Sequence, residues 1–149
     1  MSLDSDVKRM AGTSPFHLLP REALQLLAFS CEKRGYQAGQ TLFGEGDAAD
    51  GAFLVLEGEI VLSAKQQERR VGPGALIGET ALVAEVLRGA TAKALGEASA
   101  LRIPRATFRR VLGEFPDAAV KVRALAAARV GKLFGELERV RVREFGGRT

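Results

Sequence analysis

The stretch Phe53-Leu54-Val55-Leu56-Glu57-Gly58-Glu59-Ile60-Val61-Leu62 says most about the fold. Two apolar runs of strand length flank Glu57-Gly58, and a glycine between such runs reads as a tight β-hairpin. The same texture extends outward in both directions. Between Gly35 and Gly96 lie 11 of the 17 glycines, separating short apolar stretches at Thr41–Phe43, Ala52–Leu56, Ile60–Ser63, Ala75–Ile77 and Ala90–Leu95. Strands of about five residues divided by glycine turns predict a compact antiparallel sheet. Lys65 to Arg70 reads as a polar loop at the tip of the next hairpin, and Ala98 to Ile103 as the strand that closes the all-β section.

Helical periodicity brackets this section. Phe16, Leu19, Ala23, Leu26, Leu27 and Ser30 recur at spacings of three and four, Pro20 fits a first helical position and Gly35 a stop. On the far side, Pro104 opens a short helix with Ala106, Phe108, Val111 and Leu112 available to pack, and Gly113 and Pro116 break it. Asp117 begins a long alanine-rich helix that reaches about Arg143. Within it, Val130, Leu133, Leu137 and Val140 form a heptad-like seam, suited either to docking on the chain's own sheet or to a parallel helix pair in a homodimer. The expected organisation is a flexible N-terminal segment over residues 1–15, a β section over about 36–103 and C-terminal helices over about 104–143.

Bulk properties narrow the class of function. A chain of 149 residues is one domain by length, with a core large enough to stand without staples. One cysteine, Cys31, builds no disulfide framework and no thiolate metal site; it reads as a small packed residue near a helix end and suits a reducing cytoplasm. A single histidine, His17, reads as structural, since a metal-binding barrel needs a histidine cluster. No nucleophile elbow, zinc spacing or phosphate-binding Walker loop is present, so neither catalysis nor a metal is expected. No apolar run approaches the length of a membrane span. The net charge of +4 lies wholly in residues 117–149, where 8 basic side chains face 4 acidic ones, and reads as a solvated helix face.

The chemistry is concentrated in Leu76-Ile77-Gly78-Glu79-Thr80-Ala81-Leu82 and, five residues on, Arg88-Gly89-Ala90-Thr91-Ala92. Gly78 lets backbone N–H groups face an anion. Ala81, Gly89 and Ala90 are small enough for a ligand to approach the main chain. Arg88 is a planar, permanently charged donor suited to phosphate. Glu79 can accept from a sugar hydroxyl. Thr91 reads as an ordinary strand residue.

This stretch resembles the phosphate-binding cassette of the cyclic-nucleotide-binding domain family: Gly-Glu, a small residue shortly after, a variable loop, then Arg with two small residues. Gly39, Phe43, Gly46-Asp47, Phe53-Leu54-Val55 and Gly58 resemble that family's first β-roll motif, and Pro73-Gly74 its turn before the cassette. The likeness runs from about Leu18 to Arg143. It implies a mainly β fold with flanking helices, a β-roll (a jelly-roll-like double-stranded β-helix) with an N-terminal helix and a long C-terminal helix, filling residues 16–149. It also implies roles. Arg88 would pair with an exocyclic oxygen of the cyclic phosphate, and Glu79 would accept from the ribose 2′-hydroxyl. Backbone N–H groups near Ala81, Gly89 and Ala90 would complete the cradle, with Gly78 and Thr80 shaping it. Val71 and Leu82 are the candidate apolar wall.

Two departures bear on specificity. Gly89 stands where the family more often has Ala, Ser or Thr. A threonine there is the arrangement that favours cyclic GMP, so Gly89 favours cyclic AMP. Val86-Leu87 lacks the proline often found before the arginine. The family's ligand-driven movement of the C-terminal helix implies a lid over Asp117–Arg143, hinged at Gly113 and Pro116. The chain carries no helix-turn-helix segment for DNA. The competing expectation is a degenerate β-roll that keeps the fold, leaves the nucleotide site idle and serves as an interaction module.

Overall fold

The computed structural model describes residues 3–128. Helix α1 (Leu3–Ala11) leads through a short 3-10 turn (Phe16–Leu18) to helix α2 (Arg21–Ser30). Ten strands follow: β1 (Glu32–Tyr36), β2 (Thr41–Phe43), β3 (Ala48–Ala49), β4 (Gly51–Glu57), β5 (Ile60–Ala64), β6 (Gln67–Val71), β7 (Leu76–Ile77), β8 (Val86–Leu87), β9 (Thr91–Ala94) and β10 (Ala98–Pro104). A second 3-10 turn (Glu79–Leu82) lies between β7 and β8. Helix α3 (Arg105–Leu112) and helix α4, over residues 116–128, come last. The strands form two antiparallel four-stranded sheets, ordered β1-β10-β4-β7 and β2-β9-β5-β6, with β3 and β8 as a separate pair. This is the mainly β roll with flanking helices that the family resemblance implies.

The run Ala52–Leu56 is apolar without alternation because both its faces are covered. Ala52, Leu54 and Leu56 face the helices, in a cluster with Met10, Phe16, Leu27, Ile103, Phe108 and Val122. Phe53 and Val55 face inward, in a second cluster with Tyr36, Ile60, Ile77, Ala92 and Ala100. The helical layer is pinned by an edge-to-face pair, Phe16 and Phe108, with ring centroids 5.8 Å apart.

Several expectations need correcting. Phe53–Leu62 is not a hairpin: β4 pairs with β10 and β7, while β5 pairs with β6 and β9, so the chain crosses from one sheet to the other at Gly58. Gly58 has φ 81°, and a Cβ there would run into the carbonyl of Glu97. The loop expected at Lys65–Arg70 is a two-residue turn, Lys65-Gln66, both at positive φ, and the remaining residues are strand β6. Residues 1–15, expected as a flexible segment, hold α1, with Val7 and Met10 buried against α2 and the Arg9 guanidinium donating to the Leu56 carbonyl at 2.8 Å. Gly35 stops no helix; α2 ends at Ser30 and Gly35 lies within β1. Thr107 is buried on α3 where Ala106 was expected. The seam Val130, Leu133, Leu137 and Val140 falls outside the described residues.

Candidate functional site

Strand β7 ends at Gly78, which takes the left-handed conformation (φ 75°, ψ 35°) and swings the chain into the Glu79–Leu82 turn. The Ala81 N–H closes that turn on the Gly78 carbonyl at 3.1 Å. β8 then pairs with β3 through Ala48 opposite Leu87 and Ala49 opposite Val86. The Arg88 main chain is clamped on both sides: its N–H donates to the Asp47 carbonyl and its carbonyl accepts from the Gly46 N–H, both at 2.8 Å. The 44–47 loop that provides this mount is itself held. Asp47 Oδ2 accepts from the Gly44 N–H at 2.9 Å, and Thr91 Oγ1 accepts from the Glu45 N–H at 3.0 Å. Thr91 is thus the strand residue the sequence suggests, stapling the loop that carries Arg88.

Arg88 is 7% exposed. Its guanidinium lies over the Phe43 ring, 4.2 Å from the centroid, and 5.7 Å from that of Phe53. Asp50 Oδ1 stands 4.0 Å from Arg88 Nη2, and its other oxygen is 2.5 Å from Arg102 Nη2. Burial pulls the Arg88 pKa below the usual guanidinium value. The Asp50 carboxylate opposes this, Arg102 adds to it, and Asp47 opposes it again. A buried cation whose ion pair with Asp50 is long and shared with Arg102 retains attraction for a further anion. Gly78 makes the arrangement possible, since a Cβ there would collide with Arg88 Nη1.

Arg88 belongs to a cleft of about 390 Å³ lined by Gly78, Thr80, Ala81, Gly89 and Ala90 together with Phe43, Ala49, Leu62, Ile77, Val86 and Leu87. Six of the seven ligand-binding residues expected from the sequence therefore meet in one cavity. The seventh, Glu79, is half-buried at the first position of the 3-10 turn beside it. The expected wall residues are elsewhere. Val71 is half-buried in the inter-sheet cluster. Leu82 points away from the cleft into the helical cluster, where it lines an apolar recess with Phe108, Leu112, Ala119 and Val122. The wall is built instead by Phe43, Ile77 and Leu62 and by the strand-end residues Val86 and Leu87.

Sequence reasoning also missed two residues. Asp50, which faces Arg88, carried no signal beyond being an acidic residue between two short apolar segments. Arg105, first on α3, donates from Nη1 to three carbonyls: Ala49 at 3.0 Å, Ala81 at 2.8 Å and Ala84 at 3.1 Å. Its own N–H donates to the Asp50 carbonyl at 2.7 Å. One guanidinium thus joins the cassette, β3 and the start of the C-terminal helices.

A two-sheet roll with a buried arginine under a glycine-turned cassette defines a ligand-binding domain for a compact anion with an apolar body. The comparisons with known proteins give that class its family. Residues 33–115 match the family described as the cyclic nucleotide-binding domain, and the chain belongs to it. The cyclic AMP receptor protein of Thermus thermophilus is 31% identical over 135 residues, covering 87% of this chain and 62% of that protein. A lysophospholipase of Neurospora crassa is 30% identical over 133 residues, covering 85% of this chain but only 9% of the relative. Among solved structures, a cyclic nucleotide-binding-like protein from Brucella abortus superposes with a TM-score of 0.69 at 38% identity, covering 74% of this chain and 99% of that one. The N-terminal domain of a transcriptional regulator from Streptomyces coelicolor gives 0.73 at 29% identity, covering 87% and 94%. Among the described residues no helix is long and apolar enough to cross a membrane.

Proposed function

We propose that this chain is a non-catalytic sensor domain that binds a cyclic nucleotide, cyclic AMP in preference to cyclic GMP, and passes the binding event to its C-terminal helices in the cytoplasm. The observation that carries this reading is the buried Arg88 guanidinium in the same cleft as Gly78, Thr80, Ala81, Gly89 and Ala90. A cyclic phosphate supplies the anion, and the sugar and base supply a body for the apolar wall. Glu79, at the edge of the cleft, is the acceptor for a ribose hydroxyl. Gly89 offers no hydroxyl to a guanine amino group, which favours adenine.

Two contacts support coupling to the helices. Leu82 leaves the cassette directly into the packing of α3 and α4. Arg105 ties the Ala81 and Ala84 carbonyls to the first turn of α3. A ligand that rearranges the cassette therefore has both an apolar and a polar connection to those helices, and shifts them by its differential affinity for two arrangements. The heptad-like seam beyond residue 128 supports pairing of two copies.

Calorimetric titration with cyclic AMP and cyclic GMP, on wild type and Arg88→Ala, tests the reading. Saturable binding that falls at least a hundredfold in the variant is expected, with cyclic AMP the tighter ligand. No heat with either nucleotide, for folded protein freed of carried-over ligand, would replace the sensor with the interaction module.

A further inference from the structure

A second recess, of about 400 Å³, lies between α3, α4 and the end of the cassette turn, and shares no lining residue with the Arg88 cleft. Leu82 and Val83 back it. The two helices build its walls with the same device. In α3, Phe108 and Leu112 stand four residues apart, with Arg109 directly after the first. In α4, Val122 and Ala126 repeat that spacing, with Arg123 directly after the first. Residues four apart share a helix face, and the residue next in sequence is turned about 100° from it. Each helix therefore turns an apolar pair into the recess and sets an arginine at the edge. Leu82, Phe108 and Val122 are buried, whereas Arg109 and Arg123 are exposed. The result is an apolar interior with a doubly charged mouth. No carboxylate lines it, and among the described residues neither arginine makes an ion pair.

Two guanidinium groups at one mouth repel each other, and an anion between them relieves that repulsion. The interior asks for hydrocarbon, and the volume falls in the range of small-molecule sites, roughly 300–1,000 Å³. We propose that this recess binds a small amphipathic anion, a hydrocarbon body ending in a carboxylate. The body lies against Leu82, Phe108 and Val122, and the carboxylate sits at the mouth between Arg109 and Arg123. Burial of the hydrocarbon supplies affinity in proportion to the apolar area removed from water. The carboxylate accepts charge-assisted hydrogen bonds from the guanidinium donors. A bare inorganic anion would leave the interior unfilled, and an uncharged hydrocarbon would leave both arginines without a partner.

The test is calorimetric titration of the full chain with octanoate, below the concentration at which it forms micelles, and with octanol. Saturable octanoate binding is expected, with octanol at least tenfold weaker. Arg109→Ala combined with Arg123→Ala should weaken octanoate at least tenfold and leave octanol unchanged, a split that general loss of structure would not give. Ala126→Phe, which fills the recess, should remove binding of both. Arg110→Ala takes the same charge from α3 outside the recess and should leave octanoate binding as it is. No saturable octanoate binding by the folded protein overturns the proposal. An equal loss in Arg110→Ala overturns it too, because net charge would then be the cause. So does a loss in Arg88→Ala with the double variant unaffected, which would place the octanoate in the nucleotide cleft instead.

Discussion

Replacing Gly78 by alanine should damage the site in two separable ways. The first is conformational. At φ 75° an L-residue bears roughly 1–2 kcal/mol of left-handed strain. The second is steric, since the new Cβ would occupy the place of Arg88 Nη1. That nitrogen ends a flexible side chain, but the side chain is buried and stacked on Phe43, so moving it forfeits a cation–π contact of roughly 0.5–2 kcal/mol. Gly78→Ala is therefore expected to cost about 2–4 kcal/mol in urea denaturation and to weaken cyclic AMP at least tenfold in calorimetry. Gly74 is the control. Its φ is also positive, at 91°, yet nothing lies within 4 Å of a Cβ built there, so Gly74→Ala should show strain alone and unchanged affinity. In an Arg88→Ala background the steric part vanishes, and Gly78→Ala should cost only about 1–2 kcal/mol. Equal costs in the two backgrounds would refute the claim that Gly78 exists to make room for the arginine.

Other consequences follow from the same geometry. Arg105→Ala leaves the carbonyls of Ala49, Ala81 and Ala84 without their shared donor. A loss of about 2–3 kcal/mol is expected, with faster amide exchange over 79–84; exchange confined to α3 would count against a joint role. Cys31, packed at the end of α2, has its thiol pushed up to about 12 by burial, against which Arg102 and then Arg110 pull weakly. It should resist iodoacetamide at pH 8 until the protein is denatured. Because the unfolded thiol ionises first, near about 8.5, this group removes stability as pH rises above that value. Wild type should therefore lose more stability between pH 9 and 11 than Cys31→Ala does, and parallel curves would argue against a buried thiol.

The cassette was legible because its chemistry is local. Gly78, Glu79, Thr80, Ala81, Arg88, Gly89 and Ala90 lie close in sequence, and one turn plus one short strand bring six of them to a common cavity. The wall was not legible because it is assembled across sheets. Phe43 comes from β2, Ala49 from β3 and Leu62 from β5, and nothing within each segment marks it as facing a ligand. The family resemblance offers Leu82 as a wall residue, but a 3-10 turn sends successive side chains to different sides, and Leu82 packs with the helices. The strands followed the same logic. Glu32–Tyr36 and Gln67–Val71 are mostly exposed and polar, so they carry none of the apolar signal that marks β4, and β4 itself was assigned the wrong partner because strand pairing is a tertiary choice.

The crossing at Gly58 also bears on how the chain acquires its shape. Since β4 and β5 do not pair, the five-residue ladder between β5 and β6 is the one strand pairing in the two larger sheets that neighbours in sequence can make for themselves. β4 waits for β10, β5 waits for β9, and Glu32 of β1 finds its place only beside Arg102. Such non-local pairing places the loop-closure cost ahead of the reward and belongs to domains that fold in milliseconds to seconds. On the ribosome, the first sheet cannot close until β10 has emerged, and until then one edge of the apolar strand β4 lacks its partner. The interval between the synthesis of Leu56 and that of Ile103 is when this chain is most exposed to aggregation.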